Sequence, residues 1–563
     1  MGRTPRLAGR LIELEPGRPP GWMGLSTEEQ MPHTYTVSIA ALLERRFRWS
    51  RNDTLLVSDG QRLTGRDLDS LTARAAAAYR EMGIRPRDVV CLVGDNTARF
   101  YIAYLAVHRI GAVACALHAR ESEQRISTAM EHVGCRLVIT DAGHHALVAR
   151  ANALRSAPAP IVYLDDGNVP SGAVGFSSFL SKAPVPLNLP AVSPEDPATI
   201  LLSSGSTGTP KAVRHSQRAL INHWGNAQYV YGALNAHTRM LQMVGTSFAA
   251  WCYTGMPVLH AGGTVVTCSR FDPEEFCRLV QVEAVNLVAG VPTMFRLIDD
   301  SISRRYDLSS IRTVGISGEV VQERDLDQIR AWSPQARLQV FYQTSEIGST
   351  AATICAHEDM LERGKLGSVG RPVPNADLRI VDPEGSIDDV VAAGEIGEIV
   401  VTGPTLADAY LGDEARTAAK FVDGWWRSGD LGRLDEDGFL YFEGRADNAI
   451  NTGGIKIYGE EIEEALMSHP LVRQAAVIGV PDAKWGNAVT AFVVTNDTVG
   501  EAELLLHCEA QGLASFKRPK RIHLRDQLPV GPTGKLDRGS LRRELSEGPE
   551  AAHPHGHPAS SRA

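Results

Sequence analysis

Between Asp88 and Asp141 the chain alternates short apolar runs with amphipathic stretches, and this rhythm restricts its architecture more than any other feature. Asp88–Gly94 (DVVCLVG) reads as a buried strand, and Ala98–Gly111 (ARFYIAYLAVHRIG) as a helix with apolar residues at helical spacing. Gly111–Leu117 and Cys135–Asp141 read as further strands. The rhythm resumes at Val285–Gly290, with Pro292 opening a helix, and again at Thr313–Ser317 and Leu338–Tyr342. Strands alternating with helices imply a layered α/β fold with largely parallel sheets.

A chain of 563 residues exceeds one simple core, so two or more domains are expected. Residues 1–30, rich in Arg, Pro and Gly, read as a loosely ordered arm. Ser156–Pro197 is proline-rich and loop-like. The Gly-rich stretch 394–412 and the DEDG of Asp435–Gly438 suggest hairpin turns, hence an antiparallel region within a large domain spanning 31–445. After Arg445 a compact unit, 446–545, reads as a separate small domain. Residues 546–563 read as a disordered tail, whose His553, His555 and His557 are solvated instead of metal-bound.

The 43% apolar and 22% charged fractions are those of an ordinary globular protein. A net charge of -9 argues against nucleic acid or an anionic membrane as main partner, yet leaves room for a local basic pocket. The eight cysteines lie far apart, mostly in apolar runs, and read as small buried side chains in a reducing compartment. Residues 1–30 show no signal-peptide core, and no run approaches ~18 uninterrupted apolar residues, so integral membrane association is not expected and the expected location is cytoplasmic.

Leu201–Val213 (LLSSGSTGTPKAV) carries the first chemistry. An apolar run leads into closely spaced hydroxyl and glycine positions, which offer the N–H and O–H donors that polyphosphate oxygens require. Glycine permits close backbone approach, and Lys211 adds a positive charge. The residue before that lysine is Pro210, so the stretch is not a Walker A loop and a P-loop phosphotransferase is disfavoured. No GxSxG elbow is present to support a serine hydrolase.

The stretch resembles the phosphate loop of the adenylate-forming superfamily of acyl- and aryl-CoA synthetases, luciferases and peptide synthetase adenylation domains, departing from its usual pattern only at Ala212. Further segments follow in the order that family shows. Tyr342–Glu346 (YQTSE), Trp425–Gly432 (WWRSGDLG), Gly444–Asp447 (GRAD) and Leu528–Arg538 (LPVGPTGKLDR) each resemble one of its motifs, and Ser317–Val321 (SGEVV) sits where it has an adenine-contacting loop. The resemblance implies ATP contacts from Ser203, Ser204, Gly205, Ser206, Thr207, Lys211, Gly318, Glu319, Val320, Tyr342, Ser345, Asp430, Arg445 and Lys535, with the Tyr342 ring on adenine and Asp430 on the ribose hydroxyls. It implies Lys535, Thr207 and Glu346 as catalytic residues, Glu346 as the Mg2+ ligand and Asp447 as a hinge between domains. A lysine bridging carboxylate and α-phosphate offsets the repulsion of two anions, and a hard cation favours a carboxylate oxygen. The fold implied is a large N-terminal domain of layered α/β subdomains with a β-barrel-like part, plus a small mobile α+β C-terminal domain.

The family often has Pro-x-Phe-His along its acid pocket; the corresponding Val244–Trp251 (VGTSFAAW) has no histidine. No Phe-Asp pair is present to hold an α-amino group, which disfavours a free amino acid. Ser247, Phe248, Trp251 and Tyr253 suggest an aromatic or medium-sized apolar carboxylic acid, with the aromatics equally readable as core. Gly453 and Gly454 resemble the glycine pair along which pantetheine passes, so CoA is the expected acceptor. Asn451 and Asn487 depart from the CoA-ligase pattern and leave open a carrier-protein thiol, an amine, or nitrite activation as in diazo-forming relatives. Glu460–Glu464 reads as a solvated helix face.

Overall fold

The computed structural model describes residues 37–181, 191–203, 211–318, 321, 323–356, 362–365, 367–452, 455–482, 484–530 and 536–547. The alternating rhythm becomes two eight-stranded sheets. In the first, Val89–Val93 pairs in parallel with Val113–Ala116 and with Cys135–Thr140. Pro197–Ser203 continues that sheet beyond Val113–Ala116, and the antiparallel strand Lys211–Ser216 folds back on it. In the second, Arg239–Gln242, Leu287–Gly290, Thr313–Ile316 and Arg337–Thr344 lie side by side in parallel, closed by the antiparallel strand Gly348–Ala356.

The helix Ala98–Arg109 buries every side chain except Arg99. The helix Ala249–Ala261 is buried from Trp251 to Leu259. A helix apolar all round must be enclosed, and both belong to one core shared with strands of the two sheets. A six-stranded antiparallel sheet built from residues 368–445 corresponds to the part expected to be barrel-like; among the described residues its strand order is open. Asp435–Gly438 is its turn: Asp435 N and Phe439 O, and Gly438 N and Asp435 O, are hydrogen-bonded.

The six-stranded sheet ends at Arg445, and the turn Ala446–Asn448 follows it. A two-stranded and a three-stranded sheet follow, packed with the helices Gly459–Met467 and Glu501–Ala510 on a core of their own. The acidic face expected to be solvated is only partly so. Glu463 is buried, accepts both Arg538 contacts at 2.7 Å and takes the Val477 N–H at 2.7 Å. Burial pushes its carboxyl up, with Arg538 opposing.

One other expectation changes. The stretch 156–197 is not loop throughout, because Ile161–Tyr163 and Ala173–Gly175 extend the first sheet and Phe176–Leu180 is helical. The seven described cysteines are free and buried, as their apolar settings suggest. No described helix is long and apolar enough to cross a membrane. The arm 1–30 and residues 548–563 of the tail lie outside the described residues, while residues 546 and 547, expected in the tail, close the helix Arg538–Glu547.

Candidate active site

Ser203 and Lys211 pair across the base of the stretch 204–210. Ser204, Gly205, Ser206 and Thr207 lie outside the described residues. Lys211 is half-buried, and burial holds its ammonium below the ordinary lysine value. Glu346 opposes that shift, while Arg416, Arg445 and Lys420 add to it, so these five charges share one neighbourhood. A chain of net charge -9 thus places three further cations and the Glu346 carboxylate within electrostatic reach of Lys211.

The turn that presents this carboxylate is built locally. Thr344 Oγ1 accepts the Glu346 and Ile347 N–H groups, and Gly348 closes the turn at φ +72°. A Cβ on Gly348 would fall 1.4 Å from the His223 ring, so no other residue fits. Ser345 offers its carbonyl to two buried donors, His215 Nε2 at 2.8 Å and Tyr253 Oη at 3.3 Å. Burial pushes His215 down to about 4, so its ring is neutral. Buried Glu346 accepts the Tyr410 hydroxyl at 2.9 Å, and Trp426 Nε1 donates to the same hydroxyl at 3.2 Å. Tyr410 itself pairs with Val213, so it joins the first sheet, the Glu346 turn and the antiparallel sheet.

Asp430 lies beside this group in a segment pinned at several atoms. Its N–H donates to Ser428 Oγ at 2.9 Å, Ser428 Oγ–H donates to Ile399 O, and the Gly429 N–H donates to Glu398 Oε1. The Asp430 carboxylate accepts the Tyr342 hydroxyl at 2.5 Å, and Arg445 Nη1 stands 3.4 Å from its other oxygen across the paired strands. Tyr342 is buried, with its hydroxyl on Asp430 and its ring tilted 31° against Phe442 at 6.3 Å. Gly318 follows the strand Thr313–Ile316 and takes φ +87°. Glu319 and Val320 lie outside the described residues.

On the other side, Asn96 Nδ2 donates to Val244 O at 2.9 Å, and Thr246 Oγ1 donates to Gly94 O at 2.6 Å. These bonds bring the Val244–Phe248 segment to the carboxyl ends of the first sheet's strands, where open α/β sheets place their ligands. Ser247 and Phe248 are half-buried there. Trp251 is not a wall of this region. It is 1% exposed, donates its indole N–H to Asn96 Oδ1 at 2.5 Å, and packs among Phe100, Tyr101 and Tyr104. Tyr253 is likewise core, its hydroxyl spent on His215 and Ser345.

Asp447 lies in the turn Ala446–Asn448. Gly453, Gly454 and Lys535 lie outside the described residues. An antiparallel bridge between Val530 and Leu536 and the Arg538–Glu463 pair flank the segment that contains Lys535. Tyr410, His215, Arg416, Lys420 and His118 are additions that sequence reading did not single out. Tyr410 and His215 contact the Glu346 turn from far along the chain, and each sits in a strand that reads as ordinary core.

This fold and its basic, carboxylate-centred site are those of an enzyme that handles a nucleotide. The chain belongs to the AMP-binding enzyme family, whose profile matches residues 43–411, with the AMP-binding enzyme C-terminal domain matching 461–535. It is 32% identical to a feruloyl-CoA synthase of Amycolatopsis sp. over 89% of this chain and 98% of that one. It is 28% identical to a 2-succinylbenzoate–CoA ligase of Listeria monocytogenes over 90% and 99%. Its structure superposes on that of an amide bond synthetase from Marinactinospora thermotolerans with a TM-score of 0.79, at 27% identity, covering 90% of this chain and 99% of the other.

Proposed function

We propose that the protein is an AMP-forming acid–CoA ligase. A carboxylate oxygen attacks the α-phosphorus of ATP, the bond to the bridging oxygen breaks, and pyrophosphate leaves. The CoA thiolate then attacks the acyl carbon of the acyl-AMP and expels AMP. The observation that carries this reading is the pair of fixed carboxylates, Asp430 held by Tyr342 and Arg445 and Glu346 held by Tyr410, with the Lys211 ammonium in electrostatic reach of Glu346. Phosphoryl transfer needs little beyond positioning and neutralisation of negative charge, and this group supplies both. The relatives' names support an acid and CoA as the other substrates.

Glu346 fits a magnesium ligand: its carboxylate is fixed at Oε1 by Tyr410, and a hard cation favours carboxylate oxygen. A magnesium ion held by Glu346 would add to the neutralisation of the phosphates. Asp430 takes the ribose hydroxyls, and Ser203, Ser204, Gly205, Ser206 and Thr207 take phosphate oxygens. Lys535 bridges the attacking carboxylate and the α-phosphate. Asp447 is the pivot that lets the small domain present one face for adenylation and another, at Gly453 and Gly454, for the thiol.

An acid panel incubated with ATP and CoA, reading AMP release and product mass together, tests the reading. One acyl-CoA formed per AMP is expected; AMP release with no thioester for any acid overturns it. A second reading has its own support. Asn487 Nδ2 donates to Asn451 O at 3.1 Å, joining two positions that depart from the CoA-ligase pattern, and an amide bond synthetase superposes on the chain. Amide formation from added amines, with no thioester, selects that reading.

A further inference from the structure

His118 follows the strand Val113–Ala116 at its carboxyl end. Leu117 N still donates to Leu92 O, so sheet pairing continues to the residue before it. That strand is parallel to Pro197–Ser203, with Ala114 opposite Thr199 and Thr199 Oγ1 bonded to Ala114 O. Following both strands onward from this pair leads to His118 on one and to Ser203 on the other. His118 therefore lies at the same end of the sheet as Ser203.

The imidazole also meets the opposite wall. Its Nδ1 is 3.0 Å from Ser247 Oγ, and its ring stands edge-on to Phe248, with centroids 4.6 Å apart at 87°. Burial first and the Arg120 charge second push the ring down to about 4, so it is neutral near pH 7. A neutral imidazole has one N–H and one lone pair. Ser247 satisfies Nδ1; Nε2 has no hydrogen-bond partner among the described residues. The Val244–Trp251 segment contributes no histidine, so the imidazole in this corner comes from a strand end remote in sequence.

We propose that His118 is a specificity-determining residue of the acid pocket: Ser247 donates to Nδ1 and sets the ring, and Nε2–H donates to an oxygen of the bound acid beside the nucleotide. The Phe248 ring in the same corner gives a flat apolar contact, so the ligand class is an aromatic carboxylic acid. A pocket that offers a hydrogen bond discriminates against acids unable to use it. This assignment rests on the ligase reading.

The test compares the wild type, His118→Ala and His118→Gln, which keeps an N–H donor, in acid-dependent exchange of pyrophosphate into ATP. The probes are benzoate, cinnamate, ferulate and octanoate. For the preferred aromatic acid the KM of His118→Ala is expected to rise about tenfold, the ATP KM to stay level, and His118→Gln to recover most of the loss. The advantage of aromatic acids over octanoate shrinks in His118→Ala, and the thermal shift produced by AMP matches the wild type. An unchanged acid KM and unchanged ranking of acids in His118→Ala overturn the assignment alone. Loss of the AMP thermal shift together with exchange makes His118 a structural prop and also overturns it. A wild type that exchanges with no acid overturns the ligase reading and this assignment with it.

Discussion

The two walls of the candidate site are held in opposite ways. On the side proposed for the nucleotide, Asp430 and Glu346 are each fixed by a tyrosine hydroxyl, and the backbone around them is bonded in turn by Ser428, Glu398, His215 and Thr344. On the side proposed for the acid, Ser247 and Phe248 rest on one imidazole, with Asn96 and Thr246 holding the backbone behind them. The difference follows from what each wall does. A wall that receives the same nucleotide every cycle gains from pre-organised charge, which costs no reorganisation during reaction. A wall that selects among acids gains from a few exchangeable contacts.

The largest expected effect comes from Lys535→Ala, which should lower acid-dependent pyrophosphate exchange by about 10²–10³ while AMP still binds. Exchange at the wild-type rate would remove the role given to that lysine. Asp430→Ala attacks the nucleotide wall directly: the ATP KM should rise about 10- to 100-fold, with the acid KM little changed. If both rise together in steady-state kinetics, the two walls are not separable as described.

Acidification probes both walls at once. His215 on one and His118 on the other are held near 4, against about 6.5 in an unfolded chain. Between those values the unfolded chain binds more protons, so their contribution is fully present above about pH 6.5 and is lost as pH falls toward 4. Thermal melts of the wild type against His118→Gln and His215→Gln should show each variant losing less stability than the wild type across that window. Equal slopes would count against neutral, buried rings. The smallest effect belongs to Ser247→Ala, with an acid KM raised about two- to fivefold and an unchanged ATP KM, measured by the same exchange assay.

The sequence is legible where a feature is local. Period and apolar runs place the strands from Val89 to Thr140 because each strand is a short uninterrupted stretch. Asp430 and Arg445 stand in short motifs and come together on neighbouring strands. Tyr410, His215 and His118 escape notice because their partners lie far away in the chain, and a lone tyrosine or histidine in an apolar run looks like core packing. Trp251 and Tyr253 show the reverse error available to sequence reading: aromatics next to a pocket segment that the helix Ala249–Ala261 turns inward. The small antiparallel pairing of Ala409–Tyr410 with the Lys211–Ser216 strand is equally invisible, since nothing in two residues announces a partner in another sheet.

Tyr410 has a thermodynamic consequence. Its backbone is in one sheet, its hydroxyl accepts from Trp426 in another, and it donates to the carboxylate at the end of a third. A ligand that engages Glu346 therefore binds to a junction and stabilises all that the junction joins. Saturation at about 100 times the dissociation constant adds ~2.7 kcal/mol to the folded state. The large domain should take that gain as one cooperative transition moving upward, so that nucleotide affinity and resistance to unfolding become two readings of a single quantity.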